Sequence, residues 1–341
     1  MLLAAVDASD PSQATLGLLM AGSAAALWAG ATVLYARAGR VLPPLLLNAI
    51  KGVFASGLYA ATLWLLGVDF VEQLRQLSGW RLWVLAVSGV VGIAVGDSFY
   101  FASVNRIGAS RLALISLLAT PLTVIGGVLI LGERLAWPAW VGIAMAVAGV
   151  AWVVAERRPK TVTIDGEVEA LPPRIRTAEG TALAVGITFA VVSAFCQAGG
   201  ALMNRRALDG AGDFDPLTSA LWRLGVATVA LLPIALLFGR RRDPAMPHVT
   251  VNVWLVVAVA GLMGTYGGIW LQQGAFAKAP AGPVQTLLST TPIWVLPIAA
   301  LAGERVTRRA VLGAVVAVAG VALLTGASWV ESTIRALLQA A

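Results

Sequence analysis

Three ionisable side chains stand inside long apolar runs of this sequence: Lys51 in LLLNAIKGVFASGLYAATLW, Asp97 in VVGIAVGDSFYF and Arg223 in LTSALWRLGVATVALL. A charge held at bilayer depth costs about 2.5–3.5 kcal/mol on insertion scales, so such residues are rare and are read first as functional. Lys51 and Arg223 each fall about three residues from the centre of their runs, about 5 Å from a midplane at 1.5 Å per residue. Read as a pair, they would line a central cavity and suit a carboxylate or phosphate. The competing reading is that both long stems carry their charges outward to an interface. Asp97 has two readings as well: it binds a proton or cation that moves down its gradient, or it forms a static ion pair with Lys51.

Around these charges stand weaker candidates. Tyr100 and Asn105 follow Asp97 in the same run, Gln272 and Gln273 lie in the eighth run, and Gln197, Asn204 and Gln285 lie in the sixth and ninth. Amides at this depth are ligands or glue between helices. Trp28 and Tyr266 could stack on a substrate, although Trp and Tyr are also ordinary interface anchors. Thr120-Pro121 and Thr291-Pro292 each remove a helix hydrogen bond, which makes a gating hinge or a fixed kink. Glu133 and Glu304 come at segment ends before arginines and read as structural pairing or topology signals. Catalytic machinery is not in view. There is no GxxxxGK[ST] loop for ATP, and the single His248 and single Cys196 supply neither a metal site nor a Ser–His pair. No catalytic residues, cofactor or metal are expected.

The elements that must position these residues follow from composition. The chain of 341 residues is 59% hydrophobic and 12% charged, with a mean hydropathy of +0.84; a soluble protein carries about 25% charged residues. Breaks at charges, prolines and polar clusters leave ten apolar segments, at 14–36, 43–66, 80–104, 109–131, 137–155, 180–203, 216–238, 252–276, 281–302 and 307–329. Each is long enough to cross the bilayer as a helix. None alternates as a membrane strand does, so a barrel is excluded. The fold class expected is an all-α membrane protein of ten transmembrane helices. The net charge of +7 does not indicate nucleic acid, because the basic residues sit in short groups between apolar runs, as membrane topology and anionic lipid require. The N-terminus lacks a basic n-region and does not read as a cleaved signal peptide.

The chain also repeats itself. Thr120-Pro121 and Gly132-Glu133-Arg134 recur 171 residues later as Thr291-Pro292 and Gly303-Glu304-Arg305. AMAVAGVAWVV at 144–154 matches VVAVAGVALLT at 315–325, Pro44…Lys51 matches Pro216…Arg223, and WAGATVLYARA at 28–38 answers QAGGALMNRRA at 197–207. Asp97 departs from the pattern, since its counterpart is Gly268, and that asymmetry favours a specific task. The polar stretch 156–179 separates a first five-helix repeat at 14–155 from a second at 180–329. Five crossings per copy start the second copy on the opposite side of the membrane, which makes an inverted repeat. Such halves can exchange conformations and open a central site to either side in turn.

The region GDSFYFASVNRIGASRLALISLLATPLTVIGGVLILGERL at 96–135 resembles the signature of EamA-type carriers of the drug/metabolite transporter superfamily, and the likeness extends over both halves, 14–328. What the resemblance implies is a ten-helix inverted-repeat exporter or exchanger of small metabolites. The leading expectation is therefore a multi-pass secondary transporter of a small polar metabolite in the plasma (inner) membrane. It would not be ATP-driven and would not be an enzyme, and a homodimer is allowed for. A translocase of a lipid-linked substrate and a non-transporting scaffold are the alternatives. Orientation divides the signals. Fifteen of the 24 Lys and Arg lie on or beside odd-numbered connections and seven beside even ones and the tails, which would put the termini outside; the resemblance implies cytoplasmic termini.

Overall fold

A computed structural model describes residues 11–132, 135–155, 161–164, 167–170, 173–208, 214–238, 250–279, 281–304 and 306–340. Glu133, Arg134, His248 and Arg305 lie outside the described residues. Among the described residues, ten helices are long and apolar enough to cross a membrane: α1 (Ser12–Ala38), α2 (Pro44–Leu65), α3 (Gly79–Ile107), α4 (Ala109–Ile130), α5 (Trp137–Val154), α6 (Gly180–Leu208), α7 (Pro216–Leu237), α8 (Val251–Ala275), α9 (Val284–Leu301) and α10 (Arg308–Thr325). Each forms because an apolar run of span length must satisfy its backbone internally where water is absent. Their starts carry the expected signals: Pro44 opens α2 and Thr307 caps α10 by accepting from Ala310 N at 3.1 Å. A tail helix, α11, follows at Ala327–Ala340.

The packing partners obey a two-fold exchange of halves. Helix α3 packs on α6 as α8 packs on α1, and α4 leans on α6 as α9 leans on α1, while α2 pairs with α7, α4 with α9 and α5 with α10. The principal core accordingly mixes both halves, with Ala29, Val104, Leu112, Val150, Ala190, Val295 and Ala317 in one cluster. Small residues set the closest approach. On α5, a Cβ at Gly142 would meet Gly320 O at 2.6 Å, and one at Gly149 would meet Gly313 O at 2.8 Å, so the duplicated AVAGV segments are where two helix backbones touch.

Two pairs of spans depart from plain α-helix, at repeat-related places. Val90–Val95 of α3 and Gly261–Gly268 of α8 are wound as π-helix. Helix α4 is interrupted by a turn between Ala109–Ser116 and Ala119–Leu131, and α9 between Ala281–Leu288 and Thr291–Leu301. Both interruptions fall at the Thr-Pro pairs, since a proline supplies no N–H to the ladder. Thr291 Oγ1 donates to Leu288 O at 2.7 Å, the carbonyl that Pro292 leaves free. At the other break Leu117 O takes Thr120 N at 3.3 Å. The α4 and α9 helices end on Gly132 and Gly303, with φ of 68° and 92°. That left-handed turn disfavours any side chain with a Cβ, which accounts for the repeated glycine.

The connecting stretch 156–179 is not wholly irregular. Thr161–Ile164 pairs antiparallel with Glu167–Ala170, on either side of Asp165-Gly166, a dipeptide favoured in two-residue hairpins, and helix begins at Pro173, ahead of the span it leads into. This small ribbon lies outside the spans and leaves the all-α membrane class as it is.

Candidate functional site

The charged residues come together through α2, α3 and α7. Lys51 Nζ bonds to Asp97 Oδ2 in an ion pair joining α2 to α3. The lysine side chain is 5% exposed and the aspartate 25%. Lys51 also lies 5.3 Å from the Phe101 ring centroid, so its charge is held between a carboxylate and an aromatic face. The Asp97 carboxylate is in Coulombic reach of Tyr35, Tyr100 and Arg223. The structure thus joins Lys51 with Asp97 and does not pair Lys51 with Arg223.

Arg223 is held differently. Its Nε donates to Ser88 Oγ at 2.8 Å, and its guanidinium lies beside Gly92 at the first π segment of α3. Glycine at 89 and 200 lets α7 and α6 come this close to α3: a Cβ at Gly89 would collide with Arg223 O, and one at Gly200 would meet Gly92 Cα and Ser88 O at 3.0 Å. Among the described residues, no carboxylate stands within ion-pair distance of this guanidinium. Arg223 is half-buried where Lys51 is buried.

The π segments explain most of the other polar residues. A π-turn disturbs the backbone ladder, and its carbonyls here take side-chain donors from other helices. In α3, Ile93 O, which also takes Gly96 N, and Ala94 O accept from Asn48 Nδ2 at 3.0 and 3.2 Å. In α8 the repeat-related Gly264 O accepts from Trp28 Nε1 at 2.9 Å, and Thr265 O and Tyr266 O accept from Tyr59 OH at 3.0 and 3.1 Å. Tyr35 OH meets Thr265 Oγ1 at 3.2 Å. Gly268, the counterpart of Asp97, leaves room for the Trp28 indole, which a Cβ there would strike. Where the first half carries Trp28, the second carries Gln197. The sites facing α8 and α3 therefore differ by a coupled exchange, Trp with Gly on one side and Gln with Asp on the other.

The remaining candidates are distributed as follows. Tyr100 OH shares a hydrogen bond with Thr32 Oγ1 at 2.8 Å, and its ring lies edge-on to Phe101 at 5.6 Å. Gln197 Nε2 donates locally to Ser193 Oγ at 3.2 Å. Gln272 is half-buried on α8 and Asn105 is exposed at the end of α3. Asn204 accepts from Ser219 at 3.2 Å. Gln285 donates to Thr120 Oγ1 at 3.3 Å, which joins α9 to the break in α4. Tyr266 OH meets Thr62 Oγ1 at 2.7 Å. Sequence reasoning missed Ser88, Asn48 and Tyr59. Asn48 had a signal, an amide three residues before Lys51 in an otherwise apolar helix; Ser88 had none.

Two-fold related halves with interrupted helices are a construction that many membrane carriers share. The sequence pattern of the EamA-like transporter family matches residues 15–155 and again 184–326. The chain belongs to the EamA-like transporter family. Its apolar spans make it a multi-pass membrane protein, and a family of the drug/metabolite transporter superfamily points to a transporter rather than an enzyme. A curated relative, "Uncharacterized transporter YwfM" of Bacillus subtilis (strain 168), is 29% identical over 157 residues, 46% of this chain and 51% of that protein. The chain spans about half the length of the curated relative it matches. A solved crystal structure, described only as that of a protein, superposes with a TM-score of 0.61 over 92% of this chain and 96% of its own at 19% identity; that likeness speaks for the fold alone.

Proposed function

We propose that this EamA-like transporter is a secondary carrier of a small polar metabolite bearing a carboxylate or phosphate, working by alternating access in the plasma (inner) membrane without ATP. Its halves are 14–155 and 180–329, joined by the linker 156–179. The observation that carries the reading is the contrast between the two repeat-related cations. Lys51 is ion-paired with Asp97, whereas Arg223 bonds to a hydroxyl, Ser88, and has no carboxylate within ion-pair distance among the described residues. A guanidinium left so at the centre of a bundle presents its remaining N–H groups to an anionic ligand in a fork geometry. In this reading Trp28, Tyr100, Gln197 and Gln272 supply contacts for the rest of the ligand. The inverted repeat gives Lys51 the complementary role: when the halves exchange conformations, Lys51 takes the half-exposed position and Arg223 the occluded one. Asp97 then holds whichever cation the ligand has left, and Thr120-Pro121 and Thr291-Pro292 are the pivots.

The test is a thermal-unfolding screen of the purified protein against organic acids, sugar phosphates, amino acids, nucleotides, neutral sugars and organic cations. A ligand at a hundred times its dissociation constant stabilises by about 2.7 kcal/mol. The expected hits are anions or zwitterions whose shift disappears in Arg223→Ala and is reduced in Arg223→Lys. Hits confined to cations or neutral sugars, or hits that Arg223→Ala retains, would remove Arg223 from the site.

A further inference from the structure

The ten crossings place both termini, and the connections α2–α3, α4–α5, α6–α7 and α8–α9, on one face of the membrane, the termini face. The 156–179 linker and the connections α3–α4 and α9–α10 lie on the other, the linker face. At the linker face, Glu304, just past the end of α9, reaches the first turn of α4. Its carboxylate accepts from Ala109 N at 2.9 Å, Ser110 N at 3.2 Å and Ser110 Oγ at 2.8 Å. Ahead of these residues Gly108 has a φ of 82°, and a Cβ there would lie 3.1 Å from Glu304 Oε2. Glycine both makes the turn and clears the carboxylate's approach. A carboxylate at a helix N-terminus satisfies orphan N–H groups and the helix dipole together, but here it comes from the other half of the molecule.

The course of the two broken helices gives that contact its meaning. The first segment of α4, Ala109–Ser116, packs on the second segment of α9, Thr291–Leu301. Past the breaks the helices part: the second segment of α4 leans on α6, and the first segment of α9 leans on α1 and α10. Gln285 to Thr120 Oγ1 is the bond at the fork. Elsewhere the halves are bonded at both faces, by Ser103 Oγ donating to Gly186 O at 2.8 Å at the linker face and by Arg81 Nη1 donating to Ala207 O and Trp222 Nε1 to Leu82 O, each at 3.1 Å, at the termini face, so the one-sided contact is that of α4 with α9. The pair α4–α9 is thus joined towards the linker face and splayed towards the termini face, and Arg223, whose neighbours on α3, Ser88, Gly89 and Gly92, precede Asp97 by about one and a half to two and a half turns, sits on the splayed side.

We propose that the Glu304 carboxylate on the α4 N-terminus is the latch that keeps the linker face closed, and that its release is the step that opens the centre to that face. The proposal rests on the alternating-access reading above. Glu304 is half-buried at the membrane boundary, so water can take over the bonds it gives up. A carboxylate that only capped α4 would support the fold without deciding which face is open.

The chain contains one cysteine, and it lies where a reporter is needed. Cys196 is half-buried on α6 next to Gly92 and Gly96 of α3. Full-length protein in oriented proteoliposomes is treated with a membrane-impermeant maleimide from one face or the other. Wild-type Cys196 is expected to react from the termini face and to resist from the linker face. Glu304→Gln and the milder Ser110→Ala should each raise the rate from the linker face, on the order of tenfold for Glu304→Gln, the population change that loss of charge-assisted bonds permits. Thermal unfolding of the same samples tells a latch from a cap. If both variants melt lower yet keep the wild-type sidedness, Glu304 is a cap and the latch is overturned while alternating access stands. Wild-type labelling at equal rates from both faces also overturns the latch. Failure of the Arg223 reading would show only in the ligand screen, which does not depend on either variant.

Discussion

At the residue scale, Lys51 and Asp97 carry opposite charges out of water, and the pair is favourable only while both members are present. Removing one partner of a buried pair costs about 3–5 kcal/mol, whereas replacing both with apolar residues of similar size is often neutral. Lys51→Met alone is therefore expected to lower the unfolding temperature markedly, and Lys51→Met with Asp97→Leu to recover most of the loss. If the double variant is as unstable as the single one, the ion pair is not what holds α2 to α3. The same logic separates structure from transport, because a refolded double variant that no longer moves solute assigns the pair to the cycle. Asp97 as a partner of Lys51 was legible in the sequence from its depth and charge. That Arg223 would rest on Ser88 was not, since nothing in the spacing of α3 and α7 indicates which hydroxyl meets which guanidinium.

At the element scale, the spans and their breaks could be read directly, because apolar length and an internal proline are local properties. The Thr-Pro interruptions appear in α4 and α9 where the repeat puts them. The π segments could not be read, since a π-turn has no composition of its own, and the glycines in GVVGIAVG and GLMGTYGG also serve close helix packing. Their stability depends on side chains from other helices. Tyr59 is 1% exposed and its hydroxyl serves two carbonyls of the α8 π segment. Tyr59→Phe should cost about 1–3 kcal/mol, the penalty for stranding buried acceptors, measured as unfolding in detergent. An unchanged stability would mean that α8 rewinds to plain α-helix without loss. Far from the site, Gly320→Leu would push against Gly142 O, 2.7 Å from the new Cβ, and Met145 Cβ at 2.9 Å. It should destabilise by about 1–3 kcal/mol through overpacking of α5 on α10 and leave ligand affinity in the folded fraction unchanged. A loss of affinity there would mean that the outer pair is coupled to the centre.

At the scale of the whole molecule, the proposed alternating access has duplication supply two arrangements of one bundle, each half taking the other's conformation in turn. Trp28 with Gly268 on one side, and Gln197 with Asp97 on the other, would keep those two arrangements from being equivalent and so give the cycle a direction. If the Thr-Pro breaks are pivots, Pro121→Ala with Pro292→Ala should slow solute turnover while ligand-induced stabilisation persists. Binding and turnover lost together would instead make the prolines part of the site's shape.

The most direct test of the central claim is uptake of the best-stabilising anion into proteoliposomes preloaded with the same compound. Alternating access around Arg223 predicts uptake that is accelerated by the internal solute, independent of ATP, and abolished by Arg223→Ala in protein that still folds. Uptake that requires ATP, ignores the internal solute, or survives Arg223→Ala would contradict it.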